Sequence, residues 1–318
     1  MLIEKGAYHQ RTKEINLFSF VTILVLTVII AIVVKIIFAQ TQPQTISPLP
    51  DPTGKSGTFS LFFTKETKDP TLLLTQIKKI IDQQPGNYSV YVLDLINNQA
   101  FGINESVILT AASVNKIPIL ATLYKDAAAG TIDLNEIITL QPNDIQYYGT
   151  GILQGEGPGG EYSLKSLAQL MIKKSDNTAA FVLMQKLGAT KVQGTVNNLG
   201  LTQTNIEENL TSNKDMALLF QKIYSGQIVT KTNTRALLEM MSNSDFENRL
   251  PALLPKNVKV YHKIGTEVGF VHDVGIVETI GHPYYIGVMT SDISGEEQAE
   301  TTIGQISLLV YQFMNQAN

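Results

Sequence analysis

Apolar residues along the chain follow several patterns, and the longest apolar run predicts a membrane helix. The run LFSFVTILVLTVIIAIVVKIIFA occupies residues 17–39. A helix of that length spans roughly 35 Å at about 1.5 Å per residue, enough to cross a hydrocarbon core of about 30 Å. The alternative is a cleaved signal peptide, with IFA before Gln40 as a weak cleavage site. Its apolar core would span only about 7–15 residues, so we expect a retained transmembrane anchor.

Basic residues flank this run unequally. Three precede it, namely Lys5, Arg11 and Lys13, whereas after Lys35 the next positive residue is Lys55. This asymmetry predicts a cytoplasmic tail at 1–16 and a single-pass cell-membrane protein whose remaining chain is extracytoplasmic. Four prolines make residues 40–57 a semi-rigid linker, and a globular pattern fills residues 58–318.

Shorter apolar patterns predict the elements of that globular part. Helical spacing in DPTLLLTQIKKIIDQQPG (69–86) precedes two strands in YSVYVLDLINNQAFGIN (88–104). A helix follows from Ser113 to about Ala129, and most segments from 131 to about 256 are also helical in pattern. Three strands then begin at Lys259, Phe270 and Tyr284, and a final amphipathic helix begins after Ser294, with Ser294 and Glu297 as its predicted capping box.

This order predicts a mixed α/β fold of the α+β class. Strands from both chain ends would form one antiparallel five-stranded sheet flanked by the terminal helices. The middle of the chain, about residues 131–256, would form an inserted all-helical lobe.

Composition excludes several classes of function. The net charge is −4 and there is no basic run, which argues against nucleic acid as a partner. The chain has no cysteine, so disulfides, thiolate catalysis and cysteine-bound zinc are excluded. Its four histidines lack HExxH-type ligand spacing. We therefore predict no metal and no cofactor, and we expect a monomer.

The stretch LTAASVNKIPIL (109–120) contains the first candidate catalytic pair. Ser113 and Lys116 are three residues apart, a spacing that places both side chains on one helix face. Pro118 is tolerated only near a helix start, so Ser113 is expected at the N-terminus of the helix. A serine needs an adjacent base to become a nucleophile, and a lysine neutralised by burial can be that base. Alone, this pair is weak evidence, because such pairs are usually solvated surface.

Two further stretches strengthen the interpretation. Ser175-Asp176-Asn177 falls at a predicted helix break, and Lys263-Ile264-Gly265-Thr266 falls on a predicted strand. Each is ordinary by itself, as cap chemistry or as a strand end. In the strand, Gly265 would allow a ligand to approach the backbone closely.

Together, and in this order, the three motifs resemble the SxxK, SDN and KTG signature of the class A β-lactamase and penicillin-binding serine hydrolase family. The similarity extends from about residue 70 to the C-terminus and implies the β-lactamase/transpeptidase-like fold. It implies that Ser113 is the acylated nucleophile, Lys116 its proton partner and Ser175 a proton relay to the leaving nitrogen. Lys263 would raise the positive potential around Ser175.

The resemblance also implies how a substrate would be held. Asn177 would bind its side-chain amide, and the backbone N–H groups of Ser113 and Thr266 would form an oxyanion hole, in which one donor contributes about 3–4 kcal/mol. Tyr147 or Tyr148 would match an aromatic wall beside the cleft, although a core tyrosine is an equal alternative. Small β-lactams or peptidoglycan peptides are the implied substrates.

The sequence departs from the family pattern in two places. The β-lactamases of this family deacylate with a glutamate in an ExxLN motif, whereas here only EENLT, starting at Glu207, gives a partial match on a much shortened loop. Glu207 is thus a candidate base, with a solvated loop carboxylate as the alternative. In addition, Ile264 replaces the KTG threonine, whose hydroxyl helps to hold the substrate carboxylate, often with a nearby arginine. The predicted strands at 258–292 contain no arginine, which leaves Thr266 or His272 as substitutes.

Three functions fit these observations. The first is a membrane-anchored extracytoplasmic serine hydrolase that opens β-lactam amides through a Ser113 acyl-enzyme. The second is a D,D-peptidase that acts on peptidoglycan peptides, and the third is a non-turnover β-lactam sensor. The cytoplasmic tail before Leu17 is too short for a signalling module, which counts against the sensor unless a partner reads the anchor.

Overall fold

A computed structural model of the protein describes residues 67–229 and 231–316. The predicted tail, anchor and linker, and the start of the globular domain at residue 58, lie outside these residues. Within the described part, no helix is both long enough and apolar enough to span a bilayer.

The described chain contains both strands and helices, often in runs of the same kind. The strands are β1 (Asn87–Asp94), β2 (Ala100–Ile103), β3 (Ile108–Thr110), β4 (Ile137–Thr139), β5 (Glu161–Ser163), β6 (Leu210–Ser212), β7 (Lys259–Glu267), β8 (Phe270–Glu278) and β9 (Tyr284–Ser291). The α-helices are α1 (Thr71–Ile81), α2 (Lys116–Ala128), α3 (Leu153–Glu156), α4 (Leu164–Lys173), α5 (Asn177–Leu187), α6 (Ala189–Asn198), α7 (Asn213–Tyr224), α8 (Lys231–Met240) and α9 (Glu296–Asn315).

The main sheet combines strands from both ends of the described chain, as predicted. Its order is β2-β1-β9-β8-β7, and each neighbouring pair is antiparallel. Strand β1 pairs with β9 from Asn87 opposite Ser291 to Asp94 opposite Tyr284. The five-stranded antiparallel sheet is therefore confirmed.

The sheet separates two apolar layers. One face packs with α1 and α9 around residues such as Ile77, Val90 and Ile303, all at most 1% exposed. The other face meets the helical lobe, with α7 against β1 and β9. Full burial of each such side chain stabilises the fold by about 1.5–3 kcal/mol.

The inserted lobe is not all-helical, which corrects the prediction. It contains a two-stranded ribbon of β4 and β5, and β6 pairs with β3 beside the lobe. Each of these strands has only three residues, too few to show the alternation from which a strand is predicted.

The start of α9 also differs from the prediction. The helix begins at Glu296 with Gly295 at its N-cap, and no side chain caps it. The predicted capping box of Ser294 and Glu297 is therefore wrong. By contrast, Ser212 caps α7, because its side chain accepts a hydrogen bond from the backbone N–H of Asp215.

Candidate active site

Ser113 lies in a tight turn that leads into the buried helix α2. A 3-10 turn at Ala112–Asn115 precedes the helix, so Ser113 lies just before the α-helix rather than within it. Ala112 has φ of 49°, a left-handed conformation that is strained for a residue with a side chain. Backbone strain of this kind concentrates at functional sites.

Strand β7 runs directly beside this turn, and Gly265 makes the approach possible. A Cβ atom on Gly265 would lie 3.0 Å from the Ala111 carbonyl oxygen and 3.0 Å from a methyl carbon of Val114. Both distances are tighter than ordinary van der Waals contact. The glycine thus brings the strand that carries Lys263 close to Ser113.

Lys116 is the centre of the site. Its side chain is almost fully buried at the start of α2, where only 6% of the residue is exposed. Its Nζ atom lies 3.0 Å from Ser113 Oγ, 2.6 Å from the Ser175 carbonyl oxygen, 3.2 Å from Ser175 Oγ and 2.8 Å from Asn177 Oδ1. Burial lowers the pKa of Lys116 to about 7, although the carboxylate of Asp176 opposes the shift. The amine is therefore available as a base near neutral pH.

The Ser175–Asn177 turn separates α4 from α5. Ser175 is buried with φ of 52°, and Asp176 caps α5 by accepting a hydrogen bond from the N–H of Ala179. The same carboxylate accepts from the N–H groups of Ile152 and Leu153 at 2.7 and 3.0 Å. Three backbone donors therefore fix the turn, and Ser175 and Asn177 with it.

Residues 148–150 form a short strap that holds Asn177. The Asn177 side-chain amide donates to the Tyr148 carbonyl oxygen at 3.0 Å, and the Thr150 hydroxyl donates to the Ser175 carbonyl oxygen at 2.8 Å. A Cβ atom on Gly149 would lie 2.3 Å from Asn177 Nδ2, so only glycine fits there. Tyr147 and Tyr148 are 72% and 66% exposed, which rules out the alternative of a core tyrosine.

Lys263 approaches Ser175 from β7. Its Nζ donates to Ser175 Oγ at 3.0 Å and to the Ile264 carbonyl oxygen at 2.9 Å. Burial lowers the pKa of Lys263 well below its ordinary value, and the charge of Lys116 adds to the shift. The Ser175 hydroxyl therefore lies between two lysine amines. Five predicted side chains meet in one place, between the sheet and the helical lobe: Ser113, Lys116, Ser175, Asn177 and Lys263.

An arginine that the sequence did not single out contacts Thr266. Arg249 lies before β7, and its Nη2 donates to Thr266 Oγ1 at 2.7 Å. The guanidinium also pairs with the carboxylates of Glu296 and Glu300, at 3.1 and 3.0 Å. The Arg249 side chain is only 2% exposed, whereas Thr266 is exposed. Because Arg249 donates to the threonine oxygen, the Thr266 O–H keeps its own proton for another acceptor.

His272, the other predicted substitute for the KTG threonine, is fully engaged elsewhere. Its Nε2 lies 2.8 Å from the Thr110 carbonyl oxygen, and its Nδ1 accepts from the Thr290 N–H at 3.0 Å. Burial lowers the pKa of His272 to about 4, so the ring is neutral at physiological pH. It has no free nitrogen for a substrate carboxylate.

Glu207 lies on an exposed turn. Its backbone N–H donates to Asn205 Oδ1, and its side chain is exposed to solvent. The residue of this turn that contacts the Ser113 segment is Asn209. Its carbonyl oxygen accepts from the Ala111 N–H at 2.7 Å, and its Oδ1 accepts from Asn115 Nδ2 at 2.8 Å. The structure thus does not place Glu207 among the five clustered side chains, and its role as a base stays a prediction.

Comparisons with known proteins agree with the geometry. The model of the β-lactamase enzyme family matches residues 72–314. β-Lactamase VEB-1 of Pseudomonas aeruginosa is 24% identical over 248 residues, which cover 69% of this chain and 82% of that protein.

Solved structures show the same fold. A β-lactamase from Sphaerobacter thermophilus is 24% identical with a TM-score of 0.74, covering 79% of this chain and 100% of that one. The protein PBP-A is 30% identical with a TM-score of 0.71, covering 76% and 96%. A point mutant of PBP-A was solved as an acyl-enzyme complex with penicillin G. The chain described here therefore belongs to the β-lactamase enzyme family and is a β-lactamase-like serine hydrolase.

Proposed function

We propose that the protein is a membrane-anchored, extracytoplasmic enzyme in which Ser113 opens β-lactam amides through a covalent acyl-enzyme. The observation that carries this proposal is the position of Lys116 Nζ, 3.0 Å from Ser113 Oγ and within hydrogen-bond distance of Ser175 and Asn177. An amine with a pKa of about 7 is matched to proton transfer at neutral pH.

The acylation step follows from these contacts. Neutral Lys116 takes the proton of Ser113 as Oγ attacks the lactam carbonyl carbon, and the backbone N–H groups of Ser113 and Thr266 stabilise the oxyanion. The lactam C–N bond then breaks, and Ser175 passes a proton to the leaving nitrogen. Lys116 returns that proton to Ser175 at 3.2 Å, so the net transfer runs from the serine oxygen to the nitrogen.

Substrate binding is assigned to groups on both sides of Ser113. Asn177 reaches the cleft from α5 and contacts the substrate amide, and Tyr148 forms an exposed aromatic wall nearby. On β7, Gly265 keeps the strand close and Thr266 donates its hydroxyl to the substrate carboxylate. Buried Arg249 contributes through Thr266, because it is too enclosed to touch a ligand itself.

Location is part of the proposal. The apolar run at 17–39 anchors the protein in the membrane as a single transmembrane helix, and the protein is a monomer. The excess of basic residues before the run keeps the N-terminus in the cytoplasm and leaves the domain outside it. Membrane fractionation of the full chain, against a chain lacking residues 1–39, tests the anchor.

The proposed chemistry is tested with the full chain in detergent, a chromogenic cephalosporin and intact-mass measurement. We expect a covalent adduct that is absent in Ser113→Ala and retained in the control Ser106→Ala, an exposed serine earlier in the chain. An adduct in the Ser113→Ala variant, or none in the wild type with any β-lactam or D-Ala-D-Ala mimic, would contradict the proposal.

A second candidate is a penicillin-binding D,D-peptidase with the same acylation step, and the exposed position of Glu207 favours it. Without a positioned base, water attack on the acyl-enzyme loses about 10²–10⁴-fold of general-base help. Adduct lifetime separates the two: rapid turnover supports a β-lactamase, and an adduct that lasts for hours supports the peptidase or a non-turnover sensor.

A further inference from the structure

A second buried cluster of charged groups lies on β7, next to Lys263 in sequence. Because successive strand residues point to opposite faces, His262 faces away from Ser175. Its fully buried ring places Nδ1 at 2.8 and 2.9 Å from the two carboxylate oxygens of Asp273 on β8. Its Nε2 lies 3.4 Å from both a carboxylate oxygen of Glu247 and the hydroxyl oxygen of Ser244.

The same Asp273 carboxylate also holds the chain just before β7. One of its oxygens accepts a hydrogen bond from the backbone N–H of Leu250 at 3.0 Å. Residues 244–250 are thus attached to the sheet at both ends, through Ser244 and Glu247 at one end and Leu250 at the other. We call residues 244–250 the arginine segment, because Arg249 lies within it.

Carboxylate oxygens lie beside both ring nitrogens of His262, an arrangement that favours a donor at each nitrogen. Burial alone would lower the pKa of His262, but the carboxylates of Asp273 and Glu247 outweigh it and raise the pKa to about 9. The imidazolium is therefore charged at neutral pH and donates to both carboxylates. The hydrogen bond to Asp273 has the length of a strong charge-assisted pair, whereas the 3.4 Å contact with Glu247 is longer.

The position of the arginine segment determines where the guanidinium group of Arg249 lies. From its backbone position next to Leu250, Arg249 Nη1 reaches the carbonyl oxygens of His272 and Gly265 at 2.8 and 3.2 Å. Nη2 then reaches Thr266 Oγ1. A shift of the segment by about 1 Å would break the guanidinium hydrogen bonds that orient the threonine hydroxyl, because such bonds weaken steeply with distance and angle.

We propose that His262 is a positioning residue for substrate selection. Together with Asp273 it fastens the arginine segment to the sheet, so that Arg249 holds the Thr266 hydroxyl ready for a substrate carboxylate. The inference rests on the proposed function, and it assigns to His262 a preference for carboxylate-bearing substrates rather than a part in the acylation step.

The experiment compares benzylpenicillin with its methyl ester, which lacks the negative charge. Second-order acylation rate constants are measured by intact mass for the full-length wild type, His262→Gln and Glu247→Gln. We expect His262→Gln to slow acylation by the acid about tenfold and by the ester less than about twofold, because only the acid uses the carboxylate contact. Asp245→Asn is the matched control, since Asp245 lies on the same segment but pairs with Lys174 at the surface. It should leave both rate constants unchanged.

A double variant tests whether the effect passes through Arg249. If it does, His262→Gln combined with Arg249→Lys should discriminate between acid and ester no more than Arg249→Lys alone, because the two changes remove one interaction. Should His262→Gln fail to fold, Glu247→Gln carries the test, with an expected acid-selective loss of about threefold. A merely structural role would slow both compounds alike.

Equal loss on acid and ester, or no loss on either, would overturn the inference and leave the proposed function standing. Additive effects in the double variant would overturn the route through Arg249. A wild type that is acylated by neither compound would overturn the proposed function, and the inference with it.

Discussion

The two regions that border the Ser113 turn differ in the solvent exposure of their ionisable groups. On one side, Lys116 and Lys263 are buried and their pKa values are lowered. On the other side, the turn that carries Glu207 and Glu208 leaves both carboxylates exposed. Burial has preorganised the groups for forming an acyl-enzyme, whereas among the described contacts none brings the Glu207 carboxylate to that cluster. The molecule is therefore built for acylation more evidently than for deacylation.

The largest effect that sharpens this comparison is expected from Lys116→Ala. Removing the base should slow acylation by about 10²–10⁴-fold, because Ser113 then lacks a proton acceptor. Rates of adduct formation by intact mass are the measurement. Lys174→Ala, at an exposed ion pair next to Ser175, is the control and should acylate normally. A loss below about tenfold would show that another group deprotonates Ser113.

The pH dependence of acylation gives the next largest effect. The working base is neutral Lys116, which loses its proton as the pH rises through its lowered pKa of about 7. The acylation rate should therefore fall about tenfold for each pH unit below about 7 and level off above it. Stopped-flow acylation between about pH 5 and 8, with circular dichroism to check the fold, measures this. An acylation rate that does not change with pH would contradict the role of buried Lys116 as the base, and with it the contrast between the two regions.

The smallest effect is expected from Glu207→Gln. An exposed carboxylate outside the cluster should contribute little to hydrolysis of the acyl-enzyme, so the adduct lifetime should stay within about twofold of the wild type. The neighbouring Glu208→Gln serves as the control. If only the Glu207 change prolongs the adduct by about a hundredfold or more, Glu207 is the deacylating base after all, and the comparison fails.

Sequence spacing predicted most of the cluster because its contacts are local or follow from motif order. Ser113 and Lys116 share one turn, and Ser175 to Asn177 occupy one helix start, so periodicity and cap chemistry suffice to locate them. Their meeting with Lys263 was predicted only through the family resemblance. Spacing alone cannot tell which distant segments touch.

Arg249 was missed for a physical reason. An arginine near the KTG position was sought only within the strands at 258–292, which contain none. The guanidinium instead comes from the segment before β7 and reaches Thr266 through tertiary packing. The contact between Asn209 and Asn115 was missed in the same way, because the two amides are 94 positions apart in the chain. No local pattern around these residues distinguishes them from ordinary polar groups on a protein surface.

The pairing of β1 with β9 has a consequence for synthesis. Strand β1 (Asn87–Asp94) lies between β2 and β9 in the sheet. Its side facing β9 has no partner until Tyr284–Ser291 has been translated. Strand β7, which brings Lys263 to the nucleophile, is completed only through β8 and β9. A nascent or prematurely terminated chain can therefore carry Ser113 and Lys116 without a finished cleft. Under the proposed function, covalent labelling by a β-lactam would report that the last strand has left the ribosome and joined the sheet.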